Sequence, residues 1–156
     1  MKAETPLHGY VEAAVREAYR GNTEAALARL TELAGSARQL GEGPGETLCL
    51  AASAEVALLW LQPGEALEIA RAGHDRAKAT PDLAIRARAG AALAQALLSM
   101  GQLGEAASLG FASEVQARES DDRVALLHAQ LAVTAILWHA KDAAEAVPCA
   151  REALAT

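Results

Sequence analysis

A chain of 156 residues has room for one hydrophobic core, and at this size about 70 % of the unfolded surface can be buried on folding. Its residues are 52 % hydrophobic but only 3 % aromatic, because alanine, the best helix former, supplies roughly a quarter of the chain. A net charge of −6 excludes the basic excess with which a protein gains affinity by releasing counterions from nucleic acid, so no direct nucleic-acid partner is expected.

No apolar run approaches the ~18 residues that span a bilayer, and the opening MKAETPLHGY has no signal-peptide apolar region. The expectation is a soluble cytoplasmic protein without a membrane partner. Cys49 and Cys149 suggest neither a disulfide framework nor a metal knuckle, and both read as buried small hydrophobes.

In chain order, Thr5-Pro6 opens a first helix that runs to about Arg20, with Thr5 as N-cap and Pro6 at the first helical position. Tyr10, Val11, Ala14, Val15 and Ala18 fall on one face of it. Gly21-Asn22 breaks the chain, and a second helix spans about Thr23 to Gln39. The stretch Gly41-Glu42-Gly43-Pro44-Gly45 lacks the Gly-Lys-Ser/Thr ending and the preceding β-branched strand of a phosphate loop, and reads as a linker. A nearly all-apolar third helix follows from about Glu46 to Leu61, with Glu55 its only charge after the first turn. Pro63-Gly64 turns into a fourth helix ending near Thr80. Thr80-Pro81-Asp82 opens a fifth, to about Met100. A sixth covers Gly104 to Glu119, and Ser120-Asp121-Asp122 caps a seventh that ends around Ala140. The eighth carries Pro148 where the pattern predicts helix interior, so it should kink or start late.

These helices recur with a period. Gly21 to Ala26 (GNTEAA), Leu61 to Ala66 (LQPGEA), Gly101 to Ala106 (GQLGEA) and Lys141 to Ala146 (KDAAEA) stand in register, so Ala26, Ala66, Ala106 and Ala146 are forty residues apart. Ala14, Ala54, Ala94 and Thr134 form a second column at the same interval. Each unit is too small to bury its own apolar face and needs neighbours.

Four antiparallel helix pairs with a Gly-x-x-x-Glu-Ala phrase at the turn resemble the tetratricopeptide repeat family over nearly the whole chain. The forty-residue unit exceeds that family's usual length, and such long units look like those of maltose-activator-type bacterial regulators. The resemblance implies an all-α helical-repeat solenoid, a single domain with units at about 5–40, 45–80, 81–119 and 120–156. It also implies a concave groove lined by the first helix of each pair. The groove positions are His8, Val11, Val15 and Tyr19; Leu48, Ala51, Glu55 and Leu59; Arg88, Ala91, Gln95 and Ser99; His128, Leu131, Ala135, Trp138 and His139.

The register offers little to chemistry. His8 and His128 lie three units apart, about 30 Å at the spacing of stacked helices. His128 and His139 are about 16 Å apart along one helix, while ligands of one metal must lie near 2 Å from it. His74 falls outside the groove and reads as a surface residue. No nucleophile, base and acid come within reach of one another, so neither an enzyme nor a bound cofactor or metal is expected. Glu55 is either a groove residue that pairs with a ligand or a core acid satisfied by a neighbour such as Arg88. Arg38, Lys78 and Arg118 near the ends of the second helices form a basic column, read as an anion ladder or as solvated helix termini.

The leading reading is an adaptor that binds a peptide or protein segment through Glu55, Arg88, Gln95, His128, Trp138 and His139. The alternative is a ligand-sensing module related to a bacterial transcription regulator, with a small molecule in the same groove. Val147, Ala150 and Leu154 leave an apolar stripe on the last helix, so a homodimer through the C-terminal hairpin is expected unless Pro148 folds that helix back over its own unit.

Overall fold

The computed structural model describes residues 6–60, 63–141 and 143–155. They form α1 (Pro6–Tyr19), α2 (Thr23–Gln39), α3 (Gly43–Trp60), α4 (Pro63–Ala77), α5 (Leu83–Ser99), α6 (Leu103–Ser120), α7 (Arg123–His139) and α8 (Ala143–Ala155). The fold is all-α, and no strand occurs among the described residues.

The odd helices neighbour one another in chain order, α1 on α3, α3 on α5 and α5 on α7. Each of α2, α4 and α6 packs between the odd helix before it and the one after, and α8 packs on α7. Among the described residues no even helix brings its backbone close to another even helix, although the Arg118 side chain of α6 reaches Glu152 of α8. The small-residue columns lie at these contacts: Ala14, Ala54 and Ala94 are buried, as are Ala26, Ala66, Ala106 and Ala146. Thr134 departs from its column, with a buried hydroxyl that makes no hydrogen bond. Sizes also compensate between the helices of a pair. A Cβ on Gly73 would sit 3.1 Å from the Cβ of Leu50, whereas forty residues on the glycine is Gly90 and faces Ser113. That exchange of large and small keeps helix axes close in both pairs.

The turns repeat their hydrogen bonds. Gly21 donates to the Ala18 carbonyl and Asn22 to that of Glu17; Gly101 donates to Leu98 and Gln102 to Leu97, with both glycines at positive φ. This closes the last carbonyls of the preceding helix and requires a left-handed residue, which glycine adopts without a Cβ penalty. Lys141 takes the same conformation, φ 62°, and donates to the Trp138 carbonyl.

Several helix ends differ from expectation. The glycine stretch is only in part a linker, because α3 begins at Gly43 with Pro44 in its first turn, where no N–H is needed. Gly45 lies close to α1 there, and a Cβ on it would make the end of the Leu7 side chain move, since it would lie 2.5 Å from Leu7 Cδ2. α4 ends at Ala77, short of Thr80. The caps of α5 and α7 are Asp82 and Asp122, two residues later than the expected openings. The Asp82 carboxylate accepts from Ala84 N and Ile85 N, and that of Asp122 from Ala125 N. Thr80 and Ser120 serve these turns from outside, each accepting from the cap residue's own N–H at 3.2 Å. α8 neither starts late nor breaks at Pro148, which lies inside it. Thr5 and Leu61, the expected ends of the first and third helices, lie outside the described residues.

Candidate functional site

Each odd helix contributes one side chain to a cluster around Arg88. The Arg88 guanidinium on α5 donates from Nε to Glu55 Oε1 at 3.1 Å and from Nη2 to Glu55 Oε2 at 3.3 Å, a two-pronged pair with α3. Its Nη1 donates to Glu12 Oε1 on α1 at 2.5 Å. From α7, His128 Nδ1 stands 3.4 Å from Glu55 Oε1. Arg88 is 3 % exposed and Glu55 8 %, so water screens their pairing weakly, while Glu12 is partly exposed.

The charges hold one another in place. Burial works against the Glu55 carboxylate, but the charges of Arg88 and His128 and the Arg88 hydrogen bonds outweigh it and leave its pKa below the usual carboxylate range. Burial likewise opposes the Arg88 cation, and Glu55 and Glu12 more than restore it. For His128 burial dominates; Glu55 opposes it, Arg88 reinforces it, and the imidazole pKa lies below its ordinary value. Tyr19, exposed at the end of α1, has its phenol pushed up by desolvation and then by the Glu55 charge.

Of the two readings of Glu55, the geometry is that of an acid satisfied by Arg88. Arg88 is correspondingly not an open groove anchor, because its donors are turned inward. The residues expected to contact a partner separate into two sets. Glu55, Arg88 and His128 come together, whereas Trp138 and His139 are exposed near the end of α7, where His139 Nδ1 lies 2.9 Å from the Ala135 carbonyl oxygen. Gln95 is partly buried on α5, forty residues after Glu55. The positions Val11, Ala51 and Ala91, expected to line a groove, are buried.

Glu12 was not singled out by sequence reading. Its signal is a lone charge in a column otherwise made of Ala52, Ala92 and Ala132, all buried. The basic column sits at solvated helix ends, with the Arg38, Lys78 and Arg118 side chains exposed, and each is engaged by carboxylates of this chain. Arg38 and Arg76 both clamp the buried Glu46 at the start of α3, Lys78 meets Asp75, and Arg118 bridges Glu114 and Glu152. His74 is also not a plain surface residue, since its Nδ1 is buried without a hydrogen bond and burial, then Lys78, lowers its pKa. Cys49 is buried and its thiol is pushed up to about 11, mainly by burial; Cys149 is only partly buried.

Among the described residues no three His, Cys, Asp or Glu side chains gather as a metal site, and no helix is long and apolar enough to cross a membrane. Two open recesses lie away from the cluster. One, of about 480 Å³, is at the start of α2; the other, of about 310 Å³, runs over Leu93 and Leu97 between α4 and α6. On α8, Val147 and Leu154 are exposed and Ala150 is partly so, so the stripe is not folded away. Comparison with protein-family models and with curated proteins finds no match to this chain.

Proposed function

We propose that the chain is a tetratricopeptide-like helical-repeat solenoid, a non-catalytic adaptor that holds an extended peptide or protein segment along the face of its odd helices. The observation that carries this reading is a row of exposed side chains at one forty-residue register, Tyr19, Leu59, Ser99 and His139, one from each odd helix. An extended segment running across those helices would meet one of these groups per helix pair. The buried Arg88 cluster supports the same reading as a brace, fixing the spacing of the helices that present the row. Two apolar positions, one of them a tyrosine, followed by two polar ones favour a segment whose apolar residues precede its polar ones, or the reverse.

The test is selection from a displayed peptide library, followed by affinity measurement on wild type and a Tyr19→Ala/Leu59→Ala variant. Loss of at least tenfold in affinity with unchanged helix content is expected, since aromatic anchors dominate such interfaces. Equal affinity would remove the row from the binding surface. A thermal shift with small molecules and none with peptides would favour the sensor reading. The adaptor is further proposed to self-associate through its C-terminal pair, where Val147, Ala150 and Leu154 are open.

A further inference from the structure

We propose that a second copy of this chain covers the open face of α7 and α8, with α7 antiparallel to α7 of its partner and Leu131 on the two-fold axis. This rests on the self-association reading above and adds its register and its residues.

Two rows of side chains show that this face is built to be covered. Val11, Ala51 and Ala91 are buried, yet Leu131 at the same register on α7 is 45 % exposed. Ala18 and Leu98 are buried and Leu58 partly so, yet Trp138 is 66 % exposed. Val124, seven residues before Leu131, is open as well. The even helices agree: a Cβ on Gly110 of α6 would lie 2.5 Å from Ile136 Cδ1 of α7, so that face of α6 looks at the following odd helix. Leu30 and Ala70 share its register and are buried, whereas Ala150 of α8 does so and is partly open between Val147 and Leu154. Among the described residues nothing covers either row on the last pair.

The first described helix, α1, does not match that face. Where α3, α5 and α7 turn Val56, Ala96 and Ile136 inward, α1 has an exposed Arg16; where they bury Cys49, Ala89 and Ala129, α1 has an exposed Gly9. A head-to-tail stack would set Arg16 against the apolar row of α7. Pairing the apolar face with itself avoids that mismatch, and a self-complementary patch closes as a two-fold dimer.

The register follows from α7 itself. Leu131 is the midpoint of Arg123–His139, and Val124 and Trp138 stand seven residues to either side. Antiparallel packing about Leu131 puts Val124 against the partner's Trp138, small against large, and Asp121 against the partner's Lys141, acid against base. Asp121 (φ 56°) and Lys141 (φ 62°) are also the two non-glycine residues with positive φ among the described residues. Glycine holds the matching turns at Gly41 and at Gly21 and Gly101. Charged side chains are thus kept at both ends of α7 where glycine would relax the backbone.

Cross-linking in a Cys149→Ser background tests this. Leu131→Cys should form a disulfide-linked dimer on mild oxidation, as the axis brings each residue against its own copy. Val124→Cys and Trp138→Cys should each stay unlinked alone and link when mixed. Asp121→Lys should weaken the dimer about tenfold by light scattering, and adding Lys141→Asp should restore it. Leu131→Glu should give a monomer of unchanged helix content. A dimer that Leu154→Glu dissociates but that never links through Leu131→Cys would overturn this register and leave C-terminal self-association standing. A monomeric wild type at tens of micromolar, or a dimer indifferent to both Leu131→Glu and Leu154→Glu, would overturn both.

Discussion

Removing the Arg88 side chain should damage the fold more than any surface change, and the reason lies in what it leaves behind. Glu55 is 8 % exposed and takes both prongs of its pairing from Arg88, at 3.1 and 3.3 Å; without them only His128, 3.4 Å away, remains near its carboxylate. Stranding one charge of a buried pair costs about 3 to 5 kcal/mol. At ~2 to 4 °C per kcal/mol for a chain of this size, Arg88→Met should melt ~6 to 20 °C below wild type. Arg88→Met/Glu55→Met removes both charges and should recover most of that loss, because well-packed apolar replacements of a buried pair are often neutral. Glu12 keeps access to water and adds little. Urea titrations followed by circular dichroism, run at several pH values, supply the measurement. In wild type the Glu55 pKa is lowered, so its contribution is complete above the ordinary carboxylate range and is lost as pH falls through the lowered value. In Arg88→Met burial acts unopposed by the guanidinium and raises the carboxyl, so protonation stabilises the variant as pH falls. The two curves should converge on acidification. An Arg88→Met cost under about 1 kcal/mol, or a gap that widens toward acid, would refute the argument.

Other outcomes follow from the same contacts. Ala106→Leu should overpack a fully buried column and cost roughly 1 to 3 kcal/mol, while Ala155→Leu at the exposed end of α8 should leave the urea midpoint unchanged. Lys141→Gly should stabilise the fold by roughly 1 kcal/mol, measured at a concentration where only monomer is present, by relieving a left-handed backbone. Burial lowers the His128 pKa, so the fold favours neutral imidazole; that contribution is present above the unfolded value and is lost as pH falls through the folded one. His128→Gln should therefore flatten the melting temperature between neutrality and pH 5 relative to wild type.

The period of alanines and turn phrases made the helix count legible, because small residues at fixed spacing reflect a constraint local to each helix crossing. Helix starts were less legible: Thr80 and Asp82, or Ser120 and Asp122, are both good cap residues, and the choice between them depends on which hydroxyl and carboxylate reach which N–H. The cluster around Arg88 was half visible. Glu55 stood out as a lone charge in an apolar helix, but Glu12 joins it from a residue seventy-six positions before Arg88, a contact that only the side-by-side packing of α1, α3 and α5 creates. The same packing moved Val11, Ala51 and Ala91 from an expected groove into the helix interfaces, since the face that meets the next helix and the face that meets solvent differ by a single residue of register along each helix.

That narrow separation explains why α7 reads ambiguously from sequence. Trp138 and His139 are adjacent, yet the row containing Trp138 is buried or partly buried on the earlier odd helices, whereas the row containing His139 is open on all of them. The two neighbours therefore belong to different surfaces. Trp138→Ala should change the molecular mass in solution and spare peptide affinity, and His139→Ala should do the opposite. A loss of peptide affinity in Trp138→Ala at concentrations where wild type is monomeric would place both residues on one surface and undo the division between the row that binds and the row that pairs. One residue of an α-helix turns the side chain by about 100°, enough to carry it from a solvent-facing row to the seam with the next helix, and that rotation is the physical basis of the proposed division.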